Sequence, residues 1–312
     1  MNEEKKGLNL PAIRKAGGLS KQEVKKISTI ELGKKSSVSS ILKSGPSSIQ
    51  KQILQSEKGL DLVLVGDLTS SMANYHALLK RKFADLCGEL FPLIKNLRIG
   101  IIFYLDHGSG DSYVTRVQKL TTDTQELIHF INVTSTGHGG DADEAVEDAL
   151  NDLNQINWKE SNARSVVIFG DASPHPHNQC PHQHDFFNLT RDLFQKGVTI
   201  NSVYCAPYSQ IDLQKLESVN VGDFTSRKTH LAPPNFFSWI GNVTGGMVIG
   251  VENIDDLVDI IKASAAKDSG HLDDLEKKMK TASPGKLKLI EVARRAEKRK
   301  NLGGDDPKML MY

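Results

Sequence analysis

Three short segments of the chain concentrate oxygen ligands. Asp67-Leu68-Thr69-Ser70-Ser71 sets a carboxylate and three hydroxyls directly after the apolar run LDLVLVG. Gly139-Gly140-Asp141 precedes a helix-patterned run that starts near Glu144, and Gly170-Asp171-Ala172-Ser173 closes the run SVVIFG. Alternate residues of an extended turn point to one side, so Asp67, Thr69 and Ser71 can face one ion. Carboxylate and hydroxyl oxygens without imidazole or thiolate suit a hard divalent cation. Mg²⁺, with waters completing an octahedral shell, is the first choice, with Mn²⁺ or Ca²⁺ as alternatives. Each segment alone has a plainer use: Thr69 or Ser71 as a helix cap, Asp141 as an N-cap, Asp171 as a turn former. It is their joint placement that points to a cation.

A second concentration is chemically different. His175, His177, Cys180, His182 and His184 fall within ten residues, and imidazole with thiolate suits Zn²⁺ or another borderline metal. The spacings match no closed structural zinc pattern, and Pro176 and Pro181 constrain the segment. It reads first as a loop rimming the oxygen site, with His175 supporting the ligands there; a separate transition-metal site is the alternative. His138 in the GHGG turn reads as a rim residue, and Trp158 and Trp239 as packing residues.

The elements that must position these groups follow from periodicity. LDLVLVG, SVVIFG and TINSVYCA are continuous apolar runs of the kind buried on both faces of a parallel sheet. LRIGIIFYLDH is another strand, YVTRVQKLT an edge strand beside it, and MVIGVEN the last strand. Helical patterns lie at about 75–94, 124–131, 144–156, 186–195 and 213–219, and in IDDLVDIIKASAAK, with a looser stretch around Pro233 and Pro234. The alternation predicts an α/β fold: a doubly wound, mostly parallel sheet with helices on both faces. Right-handed crossovers place every strand's C-terminal end, and hence all three oxygen-bearing loops, on one rim.

The combination of D-x-T-x-S after the first strand, a GG-D turn before a helix and a G-D after a later strand resembles the von Willebrand factor A domain. The resemblance spans about Leu60 to Lys267 and includes GG-x-V-x-x-V before the last helix. It implies a metal-ion-dependent adhesion site, with Asp67, Thr69 and Ser71 as first-loop ligands, Asp141 as the second-loop ligand and Asp171 as the third, some acting through water. Thr69 stands where the family usually has Ser, and Asp141 where it usually has Thr. GGDADEAVEDAL resembles the GGD-(x)2-E subgroup found in alpha-kinases and stand-alone bacterial proteins, which also carry a D-A-x-P-H stretch like Asp171 to His175. A third carboxylate holds a cation more firmly and weakens its pull on an incoming acidic group.

The composition, 38% hydrophobic and 25% charged with a formal net charge of +1, is that of an ordinary globular protein. Residues 1–58 are lysine- and serine-rich and are expected to be a largely disordered arm with a short helix near Lys21–Ile27. Residues 59–267 form the expected domain. Residues 268–312 form an expected polar extension, helical in two pieces broken at Pro284, an appendage rather than part of the core. No apolar run approaches the roughly 20 residues of a membrane span. The first residues lack the apolar stretch of a secretory signal, and three scattered cysteines suit reduced thiols, so a cytoplasmic setting is expected.

These features imply a non-enzymatic, metal-dependent module that binds a protein partner, one presenting an acidic side chain among the options. The basic arm offers sequence-independent attraction to nucleic acid as a lesser alternative. A Mg²⁺-dependent phosphotransferase or phosphohydrolase would also use carboxylates after two strands. Haloacid-dehalogenase-like chemistry, however, wants an acid two residues after Asp67, where Thr69 stands. A purely structural scaffold is the third reading.

Overall fold

Strand β1 (Leu60–Asp67) is buried at every residue, as expected for a strand covered on both faces. The computed structural model describes residues 59–301 apart from 109, 206–212, 219–229, 252 and 280–283. The N-terminal arm and its expected short helix lie outside the described residues. After β1 come a 3₁₀ turn (Ser70–Met72), α1 (Ala73–Leu93), β2 (Arg98–Tyr104), β3 (Thr115–Thr121) and α2 (Thr124–Val133). A two-residue strand β4 (Asp143–Glu144) precedes α3 (Val146–Asn154), β5 (Ala163–Gly170), a second two-residue strand β6 (Ser173–Pro174) and α4 (Phe186–Gln195). Then follow β7 (Val198–Cys205), a 3₁₀ segment (Leu213–Ser218), α5 (Pro233–Val243), β8 (Val248–Val251), α6 (Asp256–Ser269), α7 (Leu272–Met279) and α8 (Pro284–Asn301).

The main sheet has the order β3-β2-β1-β5-β7-β8. All neighbours are parallel except β3, which runs antiparallel to β2 at the edge. The doubly wound α/β architecture read from the alternation is the one observed. From β1 the chain winds out to β2 and β3, then returns to β5 on the other side of β1. Open α/β sheets bind ligands outside the strand C-termini at such a reversal. Asp67 ends β1 there and Asp171 follows β5.

The period of two along each strand sorts the core into two layers. Leu62, Leu64, Ile99, Ile101, Phe103, Val167 and Phe169 face α1, α2 and α6. Val63, Val65, Ile102, Tyr104, Val166 and Ile168 face α3, α4 and α5, where Trp239 packs among Phe186, Phe187 and Phe236. Each such large side chain, fully buried, stabilises the fold by about 1.5–3 kcal/mol. The rim loops can therefore be polar because rigid strands beneath them supply the stability.

Three local expectations are corrected. The helix expected from 144 starts at Val146, because Asp143 and Glu144 are extended and pair with Ser173 and Pro174. The stretch around Pro233 and Pro234 is the first turn of α5; a helix tolerates Pro there, where the missing N–H has no acceptor to lose. The C-terminal pieces are helices, α8 starting at Pro284, and they are not polar all round. Leu272, Leu275, Met279, Ile290, Ala293 and Ala296 close a third apolar cluster with Met247 and with Ala263 and Ala266 of α6.

Candidate metal centre

Asp67 leaves the sheet with its side chain completely buried. Its Oδ1 accepts from the Thr69 amide at 2.8 Å and the Thr69 hydroxyl at 2.7 Å. The Thr69 hydroxyl in turn lies 3.3 Å from that of Ser71. The first loop is thus a chain of oxygens running from the buried carboxylate to the exposed Ser71. Asp171 comes over the end of β5 and meets this chain, its carboxylate accepting from Ser71 and interacting with Asp67. Close approach requires Gly170: a Cβ there would stand 2.6 Å from the Tyr104 hydroxyl and 3.2 Å from the Asp67 Cβ. The structure therefore brings Asp67, Thr69, Ser71 and Asp171 together.

The second loop is tied down from two sides. Ser70 Oγ donates to the carbonyls of Gly137 and His138. Asp106, just past β2, accepts the amides of Gly140 at 2.7 Å and Asp141 at 3.2 Å. Gly139 turns the loop with φ +75° and packs so closely that a Cβ would stand 2.8 Å from Glu144 Oε1. Asp141 itself falls in a ligand-spaced group with Asp106 and His175. Its side chain is 70% exposed, caps the Asp143 amide at 2.8 Å and lies 3.6 Å from His175 Nε2. Glu144 is the buried carboxylate of this loop, and of its charged neighbours it feels Asp67 most strongly.

The electrostatics record an uncompensated site. Burial, then the Asp171 charge, pushes Asp67 up to about 7. Burial followed by Asp67, Asp106 and Asp171 pushes Glu144 up to about 9. Burial raises Asp171 as well, with the Ser71 hydrogen bond opposing it. Asp67 Oδ2, Glu144 Oε2 and the Tyr104 hydroxyl are all buried without a hydrogen-bond partner. Buried carboxylates without donors are costly, and a cation is the group that satisfies several at once. Oxygen donors of this kind fit Mg²⁺, Mn²⁺ or Ca²⁺.

The His/Cys segment gathers around the first turn of α3. His175 is buried; its Nδ1 lies 3.1 Å from Glu147 Oε1 and its Nε2 lies 3.4 Å from Asp106 Oδ1. His107, from the β2 loop, reaches Glu147 at 3.1 Å and Asp148 at 3.0 Å. Cys180, His182 and His184 approach Asp148. His177 belongs to neither of the ligand-spaced groups built on Asp148, and its Nδ1 is buried without a partner. Burial works against the Glu147 charge, yet the hydrogen bonds from His107 and His175 hold it down at about 2. The same contacts with Glu147 raise His175 to about 9, although burial alone would lower it.

Tyr104, Asp106, His107, Glu147 and Asp148 are thus candidate site residues that the reading of the sequence did not single out, and Glu144 entered it only as the last residue of GGD-(x)2-E, with no ligand role. The acidic run DADEAVED and the dipeptide Asp106-His107 at the end of LRIGIIFYLDH carried the signal. The helix expected to begin at Glu144 concealed the first, and the second was absorbed into a strand.

Fold and rim together define a doubly wound, Rossmann-like α/β domain with ligand-spaced carboxylate and imidazole groups at the strand C-termini. No family model matches the chain. Over 204 residues it is 24% identical to a protein of Acanthamoeba polyphaga mimivirus described as an ariadne-like RING finger protein. That alignment covers 64% of this chain and 19% of the viral protein, so the chain spans about a fifth of that relative. Two crystal structures of the pilus adhesin SpaC from Lactobacillus rhamnosus GG, one in an open conformation, superpose with a TM-score of 0.47 each. Their identities are 11% and 10%, and the match covers 68% of this chain and 31% or 30% of the adhesin.

Proposed function

We propose that residues 59–267 are a von Willebrand factor A-type module that binds a protein partner through a divalent cation held at the rim. Asp67, Thr69, Ser71 and Asp171 hold the ion in this reading, with Glu144 taking the second-loop place that the resemblance assigned to Asp141. The observation that carries it is the pair of buried carboxylate oxygens, Asp67 Oδ2 and Glu144 Oε2, left without donors where the sheet reverses its winding. When bound, the ion supplies an open coordination position for an oxygen of the partner. The chain's own residues do the rest. The Thr69 amide and hydroxyl fix Asp67 Oδ1, leaving Oδ2 free to ligate, and exposed Ser70 and Ser71 leave the site open to a macromolecule.

A phosphoryl-transfer reading gains no support from position 69, whose hydroxyl is hydrogen-bonded to Asp67 where an acid/base carboxylate would be needed. Among the described residues no helix is long and apolar enough to cross a membrane. The cytoplasmic setting remains part of the proposal, supported by three free, buried cysteines.

The test is thermal unfolding of the full chain in Mg²⁺ and in chelator, run beside partner capture under the same conditions. Wild type gains about 2.7 kcal/mol at 100 times the dissociation constant, whereas Asp67→Ala gains nothing and captures no partner. An Asp67→Ala protein that responded to Mg²⁺ as wild type does would move the cation elsewhere. Phosphatase turnover abolished by Asp67→Asn would favour the enzymatic reading.

A further inference from the structure

The oxygen site leaves a second group of side chains unused. His107, Glu147, Asp148 and Cys180 come from the β2 loop, the first turn of α3 and the loop after β6, and one ligand atom of each lies within 4.8 Å of all the others. We infer that these four residues form a separate site for one borderline transition-metal ion of the Zn²⁺ class. This goes beyond the rim cation proposed above and does not depend on it.

The distances carry the inference. Zn²⁺ ligands stand about 2.0–2.3 Å from the ion, which puts tetrahedral ligand atoms about 3.3–3.6 Å apart. Here His107 Nε2 lies 3.0 Å from Asp148 Oδ2 and 3.1 Å from Glu147 Oε1. Cys180 Sγ lies 3.9 Å from Asp148 Oδ2 and 4.0 Å from His107 Nε2. These four spacings bracket the required ones, and all four ligand atoms lie within 4.8 Å of one another. An imidazolium clamped by two carboxylates would explain His107 alone. It leaves unexplained why a buried thiol also stands at Asp148 Oδ2 and His107 Nε2, at the outer limit of a sulfur hydrogen bond.

The surroundings fit a metal ligand set. Asp148 presents Oδ2 to His107 and Cys180, while its Oδ1 is held by His182 Nδ1 at 2.6 Å and approached by His184 Nε2 at 3.6 Å. Partners on the far side of a ligand fix its orientation, and the His175 amide does the same for Glu147 by donating to its Oε2 at 3.1 Å. Nitrogen and sulfur donors select Zn²⁺ over Mg²⁺. Binding releases the Cys180 thiol proton and any proton on His107. The ion would join the β2 loop, the first turn of α3 and the loop after β6.

The experiment strips the full chain with chelator, reloads it with Zn²⁺ or Co²⁺, removes free metal and measures metal content and optical spectrum. Wild type and Asp67→Ala should each retain one equivalent of Zn²⁺, and their Co²⁺ forms should show thiolate-to-metal charge transfer in the near ultraviolet. Cys180→Ser, which keeps the side chain's size, should lose that band, and Cys180→Ser and His107→Ala should each weaken Zn²⁺ retention at least about 10-fold. Failure of wild type to retain Zn²⁺, or a band that survives Cys180→Ser, overturns the site. If either variant fails to fold, wild type decides alone: its Co²⁺ form must show the thiolate band, and a bound Co²⁺ without that band refutes the proposal. Retained Zn²⁺ in Asp67→Ala, beside its lost response to Mg²⁺, separates this site from the rim cation.

Discussion

Asp67 and Glu144 carry the same type of group and occupy one site, yet they were not equally visible. Asp67 becomes visible through the joint placement of its segment with the two other acidic turns at strand ends. Glu144 lies in an acidic run whose members are told apart only by burial. Glu147 and Asp148 of that run line the His/Cys cluster, Asp141 is exposed, and Glu144 turns inward. Raised to about 9 by burial and its acidic neighbours, Glu144 holds a proton at neutral pH when no cation is present. Glu144→Gln mimics that protonated form. It should therefore leave stability in chelator within about 1 kcal/mol of wild type while shrinking the Mg²⁺-induced rise in Tm. A large loss of stability in chelator would show that the carboxyl is needed for another reason.

At the scale of elements, helices are joined by side chains whose protonation matters. His76 of α1 is buried, with Nε2 3.0 Å from the Ile131 carbonyl at the end of α2 and its ring edge-on to Phe103. Burial lowers its pKa below the ordinary value. The unfolded chain then takes up a proton as pH falls through about 6.5 and the folded chain does not, so stability is lost on acidification below about pH 7. His76→Gln should flatten the fall in Tm between about pH 7 and 5. The slope will not vanish, since His271 is shifted in the same direction by its own burial. An unchanged slope would mean that His76 is neutral in both states or charged in both. The strands, and most helices, were legible from period alone. α5 was not, because two prolines read as a break until the structure placed them in the first turn.

For the molecule as a whole, the long-range feature is how α7 and α8 join the sheet through α6. Ile290, Ala293 and Ala296 close on Met247, Ala263 and Ala266. Ile290→Ala should cost about 2–4 kcal/mol. At about 2–4 °C per kcal/mol for a domain of this size, the fall in Tm is easily resolved, and no change would mark these helices as loosely attached. The average polarity of this segment suggested an appendage. A narrow apolar stripe is diluted by charged neighbours in composition but not in space.

The sequence by itself determined the α/β alternation, the single rim and the first-loop oxygens, because strand burial and turn chemistry are local and repeat at short period. Tertiary structure decided which acids of one crowded run face inward, and that His107 meets Cys180 across 73 residues. Those outcomes depend on register, loop closure and burial, which no local pattern encodes. The apolar runs could say where a cation site stands; only the packed rim could say which carboxylates lack donors, and that a thiol and an imidazole converge beside them.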